Sequence, residues 1–197
     1  MRWIVIDGID GSGKSTHARW ATEHYKAQGE KVLLRMHPSE RWMGKLTRRA
    51  LEGRGKLMRL LATTFFIIDV LSSVASLKKD DRKYGTIIYV RYLMGAAYLP
   101  DRYIETGYDF FARLLPVPKR LLLIDINPEI AVRRISMRME RTEMFEDMAS
   151  LGKTREKMKR LAKGSWHIID NSVSNDEARA ALMGILEKWD SSPPSDQ

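Results

Sequence analysis

Ten residues near the N-terminus, reading Asp-Gly-Ile-Asp-Gly-Ser-Gly-Lys-Ser-Thr from Asp7 to Thr16, have the types and spacing that grip a polyphosphate. Gly8, Gly13, Lys14 and Ser15 fill the fixed positions of G-x-x-x-x-G-K-[ST], a loop whose backbone amides surround a nucleotide's phosphates. Ile9, Asp10, Gly11 and Ser12 lie between them, and Thr16 follows. Glycines at 8, 11 and 13 allow φ > 0 and let bare amides approach phosphate oxygens without a Cβ in the way. A helix starting at this loop aims its unpaired N–H groups and partial positive charge at the same anion. This chemistry calls for ATP as donor, with Lys14 reaching the β- and γ-phosphates and the Ser15 hydroxyl on Mg²⁺.

Such a loop works only between a strand and a helix, and the flanks supply both. The run from Trp3 to Ile6 is apolar and β-branched, as a strand buried on both faces requires. From His17 to Gln28 there is neither Gly nor Pro, Ala18, Ala21, Tyr25 and Ala27 recur at roughly helical spacing, and Gly29 follows as a C-cap. Further strands are predicted over 31–35, 86–90, 120–126 and 166–170. Helices are predicted over 42–52, from 56 to about 79, from 128 to about 138, over 154–163 and over 175–189. Residues 100–118 give no clear period, although Tyr103, Tyr108, Phe110 and Phe111 suggest a packed excursion. Apolar strands alternating with helices imply an α/β fold in three layers, a five-stranded parallel sheet covered on both faces, with ligands at the carboxyl ends of the strands. His37, Arg91 and Asp125 each end or follow a strand, as the loop at Gly8 does.

The 197 residues carry a formal charge of +9 and no cysteine. That length favours one domain, read here as 1–190 with a lid near 133–150 and a disordered tail over 191–197. Without cysteine there is neither a disulfide framework nor a zinc-thiolate site, which suits a reducing cytoplasm, and Met1-Arg2 passes straight into the first strand without a signal peptide. Leu57 to Leu77 is long and apolar, but Asp69 and several hydroxyl residues interrupt it, so a buried helix is expected rather than a membrane span. The positive excess calls for an anionic partner. Residues 131–163 hold ten Lys or Arg against five Asp or Glu, and 35–59 hold eight against two. A nucleic-acid binder could look like this, and so could an enzyme that holds two phosphorylated substrates at once.

These residues together resemble the thymidylate kinases, P-loop kinases of nucleoside monophosphates, over nearly the whole chain to about Trp189. The first loop is close to that family's Gly-x-Asp-Gly-x-Gly-Lys-Ser-Thr, which implies that Asp10 lies near the acceptor sugar. His37-Pro38 resembles the pair after the family's second strand, with Arg41 or Arg48 as the arginine meeting the acceptor phosphate. The segment from Phe65 to Asp69 resembles its Phe-Ala-Ala-Asp helix, which implies Phe66 as the ring that stacks on the base. Arg91-Tyr92 with Ala97-Tyr98 resembles Asp-Arg-Tyr followed by Ala-Tyr, which implies Arg91 on the acceptor phosphate. Arg133, Arg134, Arg138 and Arg141 resemble an arginine-bearing lid. The resemblance implies a homodimer and transfer of the γ-phosphoryl group to a pyrimidine monophosphate, dTMP above all.

Two positions depart from the pattern. Val90 stands where the family has the Asp of Asp-Arg-Tyr, and Asp10 and Asp125 are the remaining candidates for a metal carboxylate. Val70 stands where it has a base-binding arginine. Two alternatives follow: a kinase acting on a nucleoside or another small acceptor, and a nucleotide-binding protein without catalysis. In the kinase reading Lys14, Arg91, Arg134, Arg138 and Arg141 act on the transferring group, and His37, Asp69 and Tyr98 join the acceptor site.

Overall fold

The computed structural model describes residues 1–53, 56–137 and 148–191. Strand β1 (Arg2–Asp7) lies at the centre of a parallel sheet whose order is β2-β3-β1-β4-β5, with β2 (Val32–Met36), β3 (Thr86–Val90), β4 (Arg120–Asp125) and β5 (His167–Asp170). The pleat sends alternate side chains into two separate layers. Val5, Ile87, Tyr89, Leu121 and Leu123 enter one core, and Ile4, Ile6, Ile88, Val90, Leu122 and Ile124 enter the other. A strand wedged between two cores must be apolar on both faces, and each fully buried Ile or Leu contributes roughly 1.5–3 kcal/mol.

Helices α1 (Lys14–Ala27) and α8 (Asn175–Ser191) cover the second layer through Ala18, Ala21, Leu182 and Leu186. The first layer is covered by α3 (Lys56–Ala75), α5 (Ile104–Leu114), α6 (Pro128–Ser136), α7 (Met148–Leu161) and a 3-10 turn over Met94–Tyr98. Helix α2 (Trp42–Glu52) packs on α3, and the short α4 (Leu77–Asp81) follows it.

Several boundaries differ from the sequence reading. The long apolar helix ends at Ala75 rather than near Lys79, because Ser73 O accepts from Arg35 Nη1 at 3.1 Å, from Tyr89 OH at 3.0 Å and from Ser76 Oγ at 2.8 Å. Arg35 also pairs with Asp80 at 2.5 Å, and so holds α4 as a separate turn. The unread stretch after Pro100 is a 3-10 turn, Asp101–Tyr103, leading into α5, where Ile104 is buried and Tyr108 and Phe111 pack on the core. Helix α7, described over Met148–Leu161, takes in residues before the expected Thr154, among them the fully buried Leu151. Helix α6 opens with Asn127 accepting from Glu129 N at 2.9 Å and Pro128 in first position, the usual chemistry of a helix start. It ends at Ser136, two residues before the expected Arg138. Most of the expected lid, 138–147, and the tail beyond residue 191 lie outside the described residues. Among those described, no helix is long and apolar enough to cross a membrane.

Candidate active site

The loop after β1 turns into α1 through Gly13, whose φ of 91° and ψ of 14° are left-handed. That conformation favours glycine, and space demands it too: a Cβ at Gly13 would lie 2.4 Å from Asn171 Nδ2 and 3.8 Å from Arg134 Nη1. Gly11 sits equally close to α6, where a Cβ would meet Ala131 O at 2.6 Å. Lys14 folds back over the loop, its ammonium donating to Ile9 O at 2.6 Å and lying 3.5 Å from Asp10 Oδ1. Burial, with the Arg91 guanidinium nearby, pushes the Lys14 ammonium down to about 8.

Across the loop stands Arg91, directly after β3 and in a left-handed conformation with φ 60°. For a residue with a side chain that conformation costs about 1–2 kcal/mol. The fold supplies its compensation in Asp7, a residue to which the sequence assigns no role. Asp7 Oδ2 accepts from Tyr92 N at 2.9 Å, Leu93 N at 3.3 Å and Met94 N at 3.2 Å, which pins the turn that carries Arg91. A carboxylate closing an apolar buried strand needs such partners, and that was the available signal.

Arg91 in turn pairs with Asp10 through Nη2 and donates to His37 O at 3.4 Å. Its side chain is 36 % exposed, so it meets the cleft. Tyr98 OH donates to Asp10 Oδ2 at 3.4 Å. Burial alone would raise the Asp10 carboxyl, but Arg91 and Lys14 overcome it and hold the group well below the usual carboxylate range. One carboxylate is therefore shared by the lysine of the phosphate loop and the arginine opposite it.

The remaining candidates divide. Asp69 is buried and accepts from Ser39 N at 2.7 Å and Ser39 Oγ at 2.5 Å, so it latches α3 to the segment after β2. His37 is also buried: Nδ1 lies 3.2 Å from Val90 O and therefore donates, which leaves Nε2 to accept from Ser73 Oγ at 2.9 Å. Both nitrogens are engaged by protein, and burial pushes the ring's pKa down. Phe66 packs edge-on to His37 with centroids 6.5 Å apart and lies against Gly95. Arg41 Nη1 donates to Ser72 Oγ at 2.9 Å on α3. Arg48 falls within α2, its side chain outside those described, and Arg138 and Arg141 lie outside the described residues. Arg134 does reach the loop, as its distance from Gly13 shows. Val90 is buried in the apolar layer, and Val70 in the other.

Asp125 is clamped by Arg155 through two bonds, Nε to Oδ1 at 2.6 Å and Nη2 to Oδ2 at 2.7 Å. With Asp10 held by two cations, both carboxylates considered for a metal are in ion pairs. No group of three or more His, Cys, Asp or Glu among the described residues could hold a metal ion. The Ser15 hydroxyl, on the first turn of α1, is the kind of hard oxygen donor that Mg²⁺ takes beside phosphate oxygens and water.

A central parallel sheet, a phosphate loop running into a helix and an arginine facing it from the next strand define a P-loop nucleotide kinase. The family description "Thymidylate kinase" matches residues 6–182. Among similar curated proteins, a thymidylate kinase of Leptospira borgpetersenii is 32 % identical over 93 % of this chain and 92 % of its own. A probable thymidylate kinase of Thermococcus onnurineus is 32 % identical over 94 % of this chain and 97 % of its own. One of Saccharolobus solfataricus, also termed probable, is 29 % identical over 95 % and 98 %. The chain belongs to the thymidylate kinase family.

Proposed function

We propose that this protein transfers the γ-phosphoryl group of ATP to the 5′-phosphate of a pyrimidine nucleotide, dTMP above all, giving dTDP and ADP. The observation that carries this reading is the sharing of Asp10 between Lys14 and Arg91, which puts a donor-side and an acceptor-side cation within one carboxylate's width. An acceptor phosphate oxygen drawn to Arg91 would face a γ-phosphorus gripped by the loop. Its attack forms the new P–O bond while the bond to the β–γ bridging oxygen breaks, and ADP leaves. The protein's part is positioning and positive charge. Lys14 and Arg134 meet charge on the donor side, Arg91 on the acceptor side, and Arg138 and Arg141 belong to the lid in this reading. The Ser15 hydroxyl would hold Mg²⁺, which would supply further neutralisation of the phosphates. Phe66 supplies a stacking face for the base, with Arg41 or Arg48 beside the acceptor phosphate. The reading carries with it a reducing, cytoplasmic setting and a homodimer, whose seam would use exposed apolar residues such as Ile68 and Leu71 of α3.

The test is a panel of nucleoside monophosphates with ATP and Mg²⁺, followed by diphosphate analysis. dTDP from dTMP, and nothing from thymidine, is the expected outcome. The buried Val90 motivates the alternative of binding without catalysis, and the same panel decides it: ATP binding with no diphosphate from any acceptor would overturn the kinase reading.

A further inference from the structure

The kinase reading leaves Asn171 without a role, although this residue joins three elements at the loop. It follows β5 and is 3 % exposed. Its backbone N donates to Asp125 O at 2.8 Å, at the end of β4. Its side-chain Nδ2 donates to Ser12 O at 2.7 Å, inside the phosphate loop. Its carbonyl accepts from Arg134 Nη2 at 3.2 Å, on α6. The amide's orientation is determined by chemistry, because a carbonyl acceptor can be met only by the nitrogen end.

The bond to Ser12 O sets a direction. The peptide joining Ser12 to Gly13 is planar and trans, so its C=O and N–H point opposite ways. With the Ser12 carbonyl turned inward onto Asn171, the Gly13 N–H is turned outward, where an anion in the loop would meet it. Gly13 leaves the room for this, since a Cβ there would collide with Asn171 Nδ2. Asn171 Oδ1 and Ser12 Oγ, beside this bond, are buried with no hydrogen-bond partner among the described residues. A purely structural amide would more often be satisfied at both ends.

Building on the kinase reading, we propose that Asn171 is a positioning residue for phosphate binding: it locks the Ser12–Gly13 peptide in its anion-facing orientation and fixes Arg134 relative to that peptide. Asn171 acts through the loop and touches no reacting atom. The role belongs to the donor nucleotide and does not extend to the acceptor.

The experiment measures ADP·Mg²⁺ binding by calorimetry, which needs no turnover, so failure of the kinase reading leaves this test intact. N171A removes the donor and is expected to weaken ADP binding about ten-fold. Acceptor monophosphate affinity should stay within about two-fold. N171D keeps the shape and both backbone contacts but sets an oxygen against the Ser12 carbonyl, a repulsion relieved only when the new carboxyl is protonated. N171D should therefore bind ADP at least as weakly as N171A while its acceptor affinity stays within about two-fold, a split between the two nucleotides that mere loss of packing would not produce. If folded N171A or N171D binds ADP within about two-fold of wild type, or loses acceptor affinity as much as ADP affinity, the proposal fails.

Discussion

Lys14 carries a prediction whose two halves run in opposite directions. Burial lowers its ammonium to about 8, against 10.5 unperturbed. In the free enzyme, kcat/KM for ATP should then fall as pH rises through about 8, because kcat/KM reports ionisations of the free enzyme. Bound phosphate favours the charged form, so the matching limb of kcat should lie at higher pH. The contribution to stability has the other sign. Between about 8 and 10.5 the unfolded chain binds more protons than the folded one at this residue, so folding is favoured as pH rises through that window. A pH series of initial rates beside urea midpoints for wild type and Lys14→Met checks both, and the variant should lose the alkaline activity limb along with at least about a hundred-fold in rate. Asp7 offers a second test. Asp7→Ala leaves three amides without their acceptor and the left-handed Arg91 without its clamp, which should cost about 3 kcal/mol in urea unfolding and raise KM for the acceptor more than for ATP. At this scale the phosphate loop was legible because its residues act through types and spacing. Asp7 and Asn171 were not, because their roles depend on which amide or carbonyl the fold brings opposite them.

Elements were legible where their own period decided them and obscure where a neighbour did. Helix α2 matches its expected limits of Trp42 and Glu52, since its ends answer to local sequence. The end of α3 answers to Arg35, forty residues away in the chain, and no window around Ala75 contains that information. Helix α5 was hidden by flanking prolines and a mixed aromatic pattern that resolves only once one face is packed. The latch between α3 and the segment after β2 gives the test at this scale. Asp69→Ala removes the carboxylate acceptor of Ser39 N and Ser39 Oγ, and about 2 kcal/mol of stability should be lost. The backbone leading to Arg41 is released at the same time, so KM for the acceptor should rise several-fold with KM for ATP little changed, as initial rates with each substrate varied would show. Equal changes in the two KM values would mean that the latch serves the fold alone.

For the whole molecule, strand order explains why the two cations meet. With β1 between β3 and β4, the loop after β1 is flanked by the turn carrying Arg91 on one side and by Asp125 and Asn171 on the other. The sheet class could be read from alternating apolar strands and helices, but which strands lie side by side could not, since any order of five buried strands would show the same pattern. Charge is organised at this scale too. Of the 34 Lys and Arg behind the +9 total, Arg2, Arg35, Arg120, Arg155, Arg160 and Arg179 stand in ion pairs away from Lys14 and Arg91, which softens the field on those faces. Lys14, Arg91 and Arg134 converge on one loop instead. Small polyanions should feel that focus, and a long nucleic-acid strand, which needs a continuous basic track, should find less of it. Raising salt from about 0.1 M to about 1 M shortens the screening length from about 10 Å to about 3 Å, so kcat/KM for both nucleotides should drop by about ten-fold. An oligonucleotide at micromolar concentration and about 0.15 M salt should leave both KM values unchanged. Competition by the strand, with a binding constant falling as a steep power of salt, would instead assign the basic surface to nucleic acid.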